Sequence, residues 1–442
     1  MDQSPFMCEV KEITEKGLAV TTHNFTAQLY NGKEWVTCYN VLGVQYVRDF
    51  QGSFGETTYI TVQIAIGDFF LQVIPNKRTL KLTLQDQYRQ MGGTPKTNVK
   101  EYTAILLNQD DPTVNIPNDV YLQREYLNQQ GFVNVELQLF DDATYRVRME
   151  SVGCIFRNTT PINALSSLLG RTTELKGNDN RKLVNGVEVF PGANQTVRKQ
   201  IVLPHGLRIV DMAHYLQEKE GGIYSAGVGC YLHEGTWYVF PPYNVTMATA
   251  YKRTASVLLF SNTRFQTETT YRKQGDNLTL LANGKNLTVD LSQADQLNNA
   301  TGVRFQNATQ LIENGSQVSN NKVVLSRNKN LSEFATNKLD DSLVNAQFPD
   351  ERVTSNPFKH YSSLARSNCR YVDIEWVFGD INELLPGMPI TVITIEGNDT
   401  KTYNGVLVNC SQTLTPVQEG AVKDTFAGVI RMGINIELNP IG

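Results

Sequence analysis

Hydrophobic and polar positions alternate with a period of two through much of the first part of the chain. The alternation is clearest at 60–66, restarts at 69–73 after Gly67 and Asp68, and returns at 80–85. A period of two places every second side chain on one face of an extended chain, so these runs predict short strands joined by tight turns. Several short strands with one apolar face are typical of a small closed barrel.

A hairpin is predicted at 132–149, where alternating apolar positions lie on both sides of Asp141 and Asp142. Two adjacent aspartates are common turn formers. The outward positions carry opposite charges, with Glu136 on one predicted strand and Arg146 on the other, which favours cross-strand pairing. This hairpin adds two strands to the predicted barrel.

The pattern then changes to the period of a helix. A helix is predicted at 161–169, with Thr160 as its N-cap and Gly170 at its end. A second helix is predicted at 207–219, because its apolar residues follow the i, i+3, i+4, i+7 spacing. A short hairpin and an aromatic strand at 237–240 come next. Helices mixed with strands indicate an α+β module.

Strand-like patterns return at 251–291 and in the last part of the chain, where 430–438 alternates strictly. Between them, 292–366 is rich in Asn, Gln and Ser, so it is either disordered or ordered by a partner. The sequence therefore predicts a mainly β fold with an α+β module. Its predicted parts are a first small β-barrel at 1–160, the α+β module at 161–250, strands of a second barrel at 251–291, an extended polar arm at 292–366, and the second small β-barrel at 367–442.

Charge and composition exclude several classes of protein. The 442 residues include 40 basic and 44 acidic side chains, a net charge of −4, which excludes a polybasic nucleic-acid coat. A hydrophobic share of 40 %, with 19 Tyr and 19 Phe, can build cores and excludes a disordered chain. Apolar runs such as 104–107 are far shorter than the ~20 residues of a membrane span, and the N-terminus lacks a signal-peptide pattern.

The cysteines are widely scattered and form no CxxC pair or Cys/His knuckle. This spacing gives no metal-site signal, and we expect free, mostly buried thiols. The six positions are Cys8, Cys38, Cys154, Cys230, Cys369 and Cys410.

Catalytic and cofactor motifs are missing from the sequence. It contains no P-loop and no GxSxG, and the segment 227–232 lacks the third glycine of the dinucleotide fingerprint. Paired carboxylates at 110–111, 141–142 and 340–341 favour turns over glycoside hydrolysis, which needs a measured separation of the two groups. We therefore predict no catalytic, cofactor-binding or metal-binding residues, and we expect that the protein is not an enzyme.

Some residues have both a chemical and a structural interpretation, and we favour the structural one for each. His214 is expected to be partly buried beside the second helix, and His233 to be a turn residue. The aromatic run 237–243 is expected to be a strand with one buried face instead of a carbohydrate platform. A calcium site does not fit the spacing of the oxygen-bearing residues Asp110, Asp111, Asn115, Asn118 and Asp119.

Four stretches of the chain, taken in order, carry a family likeness. They are 136–142 running into 153–160, then 203–206 leading to 237–241, then the Asn-rich run around 328–334, and last 374–376 with 384–389 and 405–407. In this order they resemble the baseplate hub proteins of contractile-tailed bacteriophages.

The resemblance implies two similar barrels per chain, standing side by side, and a homotrimeric ring of six barrels. Such a ring joins a sixfold tail tube, or the protein that initiates the tube, to a threefold central spike, and it contacts neighbouring baseplate proteins. The resemblance thus implies a structural virion protein of the tail baseplate, assembled in the host cytoplasm. It implies no cofactor, no specific nucleic acid and no membrane as partners.

Two other functions fit the composition. A virion receptor-binding or fibre-attachment protein shares the β-rich, Asn- and Thr-rich character, and it predicts a repetitive shaft or a glycan site. A polysaccharide hydrolase is the third reading, with the aromatic strand near an acidic pair such as Asp141 and Asp142. Activity on cell-wall or capsule material that is lost on substitution of either aspartate is expected only from the hydrolase.

Overall fold

The structure is a computed structural model. It describes residues 5–90, 94–107, 131–177, 180–245, 253–261, 269–289, 303–306, 317–319, 323–325, 332–334, 345–347, 358–396, 399–417 and 425–438.

The strands of the described residues are numbered in chain order. They are β1 (Val20–Tyr30), β2 (Trp35–Thr37), β3 (Asn40–Asp49), β4 (Thr57–Ala65), β5 (Lys81–Gln90), β6 (Lys96–Leu106), β7 (Phe132–Asp141), β8 (Ser151–Thr159), β9 (Gly186–Val189), β10 (Arg198–Arg208), β11 (Gly229–His233), β12 (Thr236–Phe240), β13 (Thr254–Ser261), β14 (Tyr271–Gln274), β15 (Asn277–Val289), β16 (Val303–Gln306), β17 (Gln317–Ser319), β18 (Val323–Leu325), β19 (Ser332–Phe334), β20 (Asn345–Gln347), β21 (Cys369–Val377), β22 (Pro389–Glu396), β23 (Asp399–Pro416) and β24 (Phe426–Glu437).

Among the described residues, the α-helices are fewer than the strands and short. They are α1 (Pro5–Lys16), α2 (Ile66–Asp68), α3 (Asp142–Val147), α4 (Pro161–Arg171), α5 (Met212–Lys219) and α6 (Phe358–Ser367). Single turns of other helix types lie at Phe69–Val73, Ile74–Asn76, Thr172–Glu174, Ile209–Asp211 and Ile381–Glu383. The prediction of a mainly β fold with a smaller α+β part is confirmed.

Fourteen strands form one sheet, whose path closes on itself twice. The larger circuit consists of β1, β3, β4, β5, β6, β7, β23 and β24, and it closes where His23 of β1 pairs with Phe426 of β24. The smaller circuit consists of β13, β15, β21, β22, β23 and β24. Both circuits therefore contain β23 and β24.

The strand β23 changes partner along its 18 residues. Residues 399–406 pair with β22 of the smaller circuit, and 409–414 pair with β3 of the larger one. The opposite edge of β23 pairs with β24 from Gly405 to Pro416, with one register shift between Leu407 and Asn409. A bulge at this point bends and twists the strand, so the irregularity lies where β23 leaves one circuit for the other.

Each circuit has its own hydrophobic core. Alternate residues of β4, including Ile60, Val62 and Ile64, are buried in the core of the larger circuit. The core of the smaller circuit contains Ile374 and Trp376, among other residues. The alternation predicted for these strands follows from this burial on one face.

Helix α1 covers the outer face of the smaller circuit. Phe6, Val10 and Ile13 follow the i, i+4, i+7 spacing and pack against Leu258 of β13 and Leu281 of β15. The strands beneath α1 are thus buried on both faces. The side chain of Arg272, on β14, pairs with Glu9 and Glu12 of the same helix.

The helices α3–α5 and the strands β8–β12 form a third unit, which we call the α+β part. Its core contains Leu165 and Leu168 from α4 together with Met212 and Leu216 from α5. The strands β8 and β10 form a separate antiparallel ribbon, and β11, β12 and β9 form a three-stranded sheet. β8 thus packs with the α+β part. The predicted division of the chain at 160/161 stays a prediction.

The predicted hairpin at 132–149 is wrong in its second half. β7 ends at Asp141, and α3 follows in place of a returning strand. The carboxylate of Asp141 accepts hydrogen bonds from the backbone N–H and the hydroxyl of Thr144, at 2.7 and 2.8 Å. This is an N-cap, so the acidic pair starts a helix instead of a turn.

Two other local predictions need correction. Residues 69–73 form a π-helical turn instead of a strand. The predicted helix at 207–219 is shortened to α5, because β10 continues to Arg208 to pair with β8. The helix predicted at 161–169 is confirmed as α4, which extends past Gly170. Its N-cap Thr160 accepts a hydrogen bond from the N–H of Asn163.

Most of the predicted polar arm at 292–366 lies outside the described residues. Within that stretch the structure describes the short strands β16–β20 and the helix α6. The proposed role of the arm stays a prediction. None of the helices in the described part of the chain is long and apolar enough to cross a membrane.

Replacement of Ile13 by Ala tests the packing of α1. Ile13 is fully buried, and we expect the substitution to lower the free energy of unfolding by about 2–5 kcal/mol, since it leaves a cavity. Urea unfolding measures this loss. The control, Glu15→Ala, changes an exposed residue of the same helix, and an equal loss in both variants would contradict the described packing.

Candidate functional site

The larger circuit, the smaller circuit and the α+β part meet at the end of β3. We call this place the junction, and it is formed by Arg48, Phe50, Glu56, Tyr231, Ile381 and Asn382.

The guanidinium of Arg48 connects the two circuits at the junction. Arg48 is 2 % exposed and pairs through Nε with the carboxylate of Glu56. Its Nη1 donates to the carbonyl oxygen of Ile381 at 2.6 Å, and its Nη2 donates to Oδ1 of Asn382 at 3.3 Å. Ile381 and Asn382 lie between β21 and β22 of the smaller circuit. One side chain of the larger circuit thus holds the backbone of the smaller one.

The Arg48–Glu56 pair is ionised at neutral pH. Burial raises the pKa of Glu56, but the charges of Arg48 and Lys100, together with the hydrogen bond from Arg48, bring the pKa down to about 2. Burial lowers the pKa of Arg48, but the charge of Glu56, the hydrogen bond to Glu56 and the other neighbouring groups together raise it. A buried charge is stable only when it is paired and hydrogen-bonded, as both of these groups are.

Phe50 and Tyr231 connect the α+β part to both circuits. The rings form a T-shaped pair with centroids 4.9 Å apart. The backbone N–H of Phe50 donates to the carbonyl of Val408 in β23 at 3.0 Å. A further contact joins Nδ2 of Asn435, in β24, to the carbonyl of Pro242 at 2.9 Å. The shared strands therefore also hold the α+β part.

The aromatic strand β12 lies between two cores. Trp237 and Val239 face the core of the α+β part, while Tyr238 and Phe240 belong to the core of the smaller circuit. Its two faces are therefore both buried, in contrast to the one buried face that the sequence predicted. A carbohydrate platform needs exposed aromatic rings, but the side chains of all four residues are buried.

Of the other residues considered from the sequence, Asp141, Asp142 and His233 line one cavity, whereas His214 lies on α5. Asp142 pairs with Arg146 on α3. His214 is exposed, so the expected partial burial is wrong, and His233 is the buried last residue of β11 instead of a turn residue. Of the cysteines, Cys230, Cys369 and Cys410 are buried thiols, Cys38 and Cys154 are half-buried, and Cys8 is exposed. The pairs at 110–111 and 340–341 and the calcium candidates at 110–119 fall outside the described residues.

Within the described ranges, no group of three or more His, Cys, Asp or Glu is arranged to hold a metal ion. The junction offers no nucleophile with an activating base. The paired charges and packed rings of the junction fix the relative positions of the larger circuit, the smaller circuit and the α+β part.

Sequence reasoning missed Arg48 and Glu56. The sequence does contain a signal for Arg48. Val44, Tyr46 and Arg48 are alternate residues of β3, so their side chains share the face of the strand that points inward. A charged residue in that phase indicates a buried ion pair. Its partner across the circuits cannot be read from the sequence.

No family model and no curated protein matches this chain. Several solved structures are similar to it at low identity. One is the 43 kDa tail protein of prophage MuSo2 from Shewanella oneidensis, with 10 % identity and a TM-score of 0.41, covering 94 % of this chain and 96 % of that one. Another is the E. coli c3393 protein, described as a component of the type VI secretion system, with 8 % identity and a TM-score of 0.40, covering 94 % of this chain and 77 % of that one. The lidless PdpA–VgrG complex has 9 % identity and a TM-score of 0.37, covering 96 % of this chain and 67 % of that one. These likenesses, with TM-scores below 0.5, do not assign the chain to a family.

Replacement of Arg48 by Met tests the junction. It leaves Glu56 nearly buried without its cation, and we expect a loss of about 3–5 kcal/mol in the free energy of unfolding. The double variant R48M/E56L removes both charges and is expected to regain most of that loss. Urea unfolding distinguishes these results. If the double variant is as unstable as R48M, the pairing account is contradicted.

The stability of the protein is expected to depend on Glu56 at acid pH. The pKa of Glu56 is about 2 in the folded chain, against an ordinary value of 4.5. Its contribution is therefore fully present above pH 4.5 and is lost as the pH falls toward 2. Unfolding measured across this range is expected to show a shallower pH dependence for E56Q than for the wild type. Identical slopes would contradict the ion pair.

Proposed function

We propose that this protein is a structural virion protein of the tail baseplate, a hub subunit whose three copies form a ring between the tail tube and the central spike. The observation that supports this most directly is the pair of closed strand circuits joined by β23 and β24. In this proposal each circuit is one small barrel, and three chains place six barrels around the axis.

Such a ring matches two symmetries at once. Identical chains related by a threefold axis present three equivalent sites toward a threefold spike. The two strand circuits of each of the three chains present six similar sites toward a sixfold tube. The circuits contain eight and six strands, so the sixfold repeat is approximate in this proposal.

A hub also has to transmit force without changing shape. The two circuits share two continuous strands, and Arg48 and Phe50 add contacts at the junction. Paired strands and a packed core allow little internal motion, because protein cores are packed as densely as crystals of small organic molecules. These contacts support a mechanical role in which tube and spike hold fixed positions.

An exposed aromatic pair on the larger circuit supports a subunit contact. Tyr39 and Phe132 are 52 % and 53 % exposed, and their rings pack edge to face at 4.8 Å. Aromatic residues are enriched at the centres of protein interfaces, where they supply much of the binding energy. We propose that this pair packs against a neighbouring chain in the ring.

The native mass of the purified protein tests the ring. We expect light scattering to give about 149 kDa, three times the chain mass of 49.6 kDa. A chain that stays at 49.6 kDa in the presence of tube and spike proteins contradicts the proposal. Specific binding of that monomer to a host polysaccharide then favours a receptor-binding protein.

The double variant Y39S/F132S tests the proposed contact. It removes two exposed aromatic rings and so weakens the trimer. On dilution, we expect the variant trimer to dissociate at a protein concentration roughly ten-fold or more above the concentration at which the wild-type trimer dissociates. The matched control is I155S/V202S, an exposed cross-strand pair on the β8–β10 ribbon. Equal dissociation in both variants, or in neither, contradicts the assignment of this contact.

A further inference from the structure

The end of the larger circuit away from the junction carries exposed apolar side chains. β4 starts beside the junction, and residues 66–80 lead from its far end to β5, which starts at Lys81 opposite Tyr30 of β1. At this end Trp35 is 59 % exposed and Leu71 is 67 % exposed. The rings of Tyr30 and Trp35 pack with centroids 5.2 Å apart. Exposed apolar side chains that lie together mark interaction surfaces.

The buried residue Asn31 joins the two segments that form this surface. Its backbone carbonyl accepts the hydroxyl of Thr79 at 2.8 Å, and its Nδ2 donates to the carbonyl of Gln72 at 3.5 Å. Its Oδ1 accepts the backbone N–H of Lys33 at 2.9 Å and so shapes the turn between β1 and β2. The turn and residues 66–80 therefore form one continuous surface.

The π-helical turn Phe69–Val73 leaves Leu71 on the outside. Phe69 and Val73 are buried in the core of the larger circuit, whereas Leu71 between them is not part of that core. π-helical turns are rare and occur frequently at functional sites. A large apolar side chain held outside on such a turn does not stabilise the core, which favours a role in binding.

The segments that carry Trp35 and Leu71 also carry exposed basic side chains. They are Lys33, Lys77, Arg78 and Lys81. Within the described residues, none of the four forms an ion pair. The same segments hold two carboxylates, Glu34 and Asp68, and Asp68 accepts a hydrogen bond from Gln72 at 3.3 Å. The surface is therefore positively charged and complements an acidic partner.

The smaller circuit does not repeat this surface in the part of the chain that the structure describes. Its basic side chains Arg272, Lys273 and Arg431 each pair with a carboxylate. The other two tryptophans of the chain, Trp237 and Trp376, are fully buried. A surface that occurs once per chain occurs three times in a ring of three chains, which matches a threefold partner and not a sixfold one.

We propose that this end of the larger circuit is the place where the ring binds the central spike, an inference that rests on the proposed function. The partner is a threefold protein whose contact surface has carboxylates around an apolar pocket. Trp35 and Leu71 enter the pocket, as buried tryptophans do at the centres of interfaces. Lys33 and Arg78 pair with the carboxylates around it.

Titration calorimetry of the purified ring with the purified spike protein tests the site. We expect W35S/L71S to bind the spike at least roughly ten-fold more weakly than the wild type. K33E/R78E is expected to weaken binding several-fold and to flatten its dependence on salt between roughly 50 and roughly 300 mM NaCl. The matched controls I155S/V202S and R157E/K199E change exposed residues of the β8–β10 ribbon and are expected to bind like the wild type.

The outcomes separate this site from the ring itself. All four variants change exposed side chains, so light scattering is expected to give the mass of three chains for each. A trimeric W35S/L71S ring that binds the spike like the wild type overturns the site and leaves the proposed function intact. Loss of tube binding in place of spike binding also overturns it. So does wild-type binding to phosphatidylglycerol vesicles that W35S/L71S loses, with spike binding unchanged, since it identifies a membrane surface as the partner.

Discussion

A strand has two edges and pairs with one neighbour along each, and this constraint shapes the whole molecule. β23 meets it by dividing its length. Residues 399–406 pair with β22 of the smaller circuit and 409–414 with β3 of the larger one, while β24 pairs with the other edge from Gly405 to Pro416. Gly433 lies opposite the register shift, where a Cβ would collide with Tyr371 and Asn409. A larger residue at this point would have to displace these two side chains, which are hydrogen-bonded to each other at 3.0 Å.

The rest of the fold strengthens this exchange of partners. Arg48 adds a buried charge pair and donates two hydrogen bonds from the larger circuit to the smaller one. The backbone N–H of Phe50 donates a hydrogen bond to β23 next to the register shift. The α+β part uses both faces of β12, with Trp237 in one core and Phe240 in another. Three units that each have their own core thus share strands and side chains at one place, which suits a protein that holds its neighbours in position.

The sequence allowed the individual strands to be predicted but not their closure. A period of two reports burial on one face, and it identified β4, β21 and β24. It failed at Asp141, because capping depends on backbone angles that two adjacent aspartates do not reveal. α1 went unrecognised although Phe6, Val10 and Ile13 have helical spacing. The junction depends on contacts between residues more than 300 positions apart, such as Arg48 and Ile381, and no local pattern encodes them.

In the proposed ring, the two circuits that share β23 and β24 make each chain into two similar segments. Electron cryo-microscopy of the purified particle, reconstructed without imposed symmetry, tests this arrangement. We expect a closed ring with threefold symmetry and six barrel-like lobes, in which β23 and β24 join the two lobes of each chain. A ring with one lobe per chain, or a particle whose two circuits point away from a common axis, would contradict it.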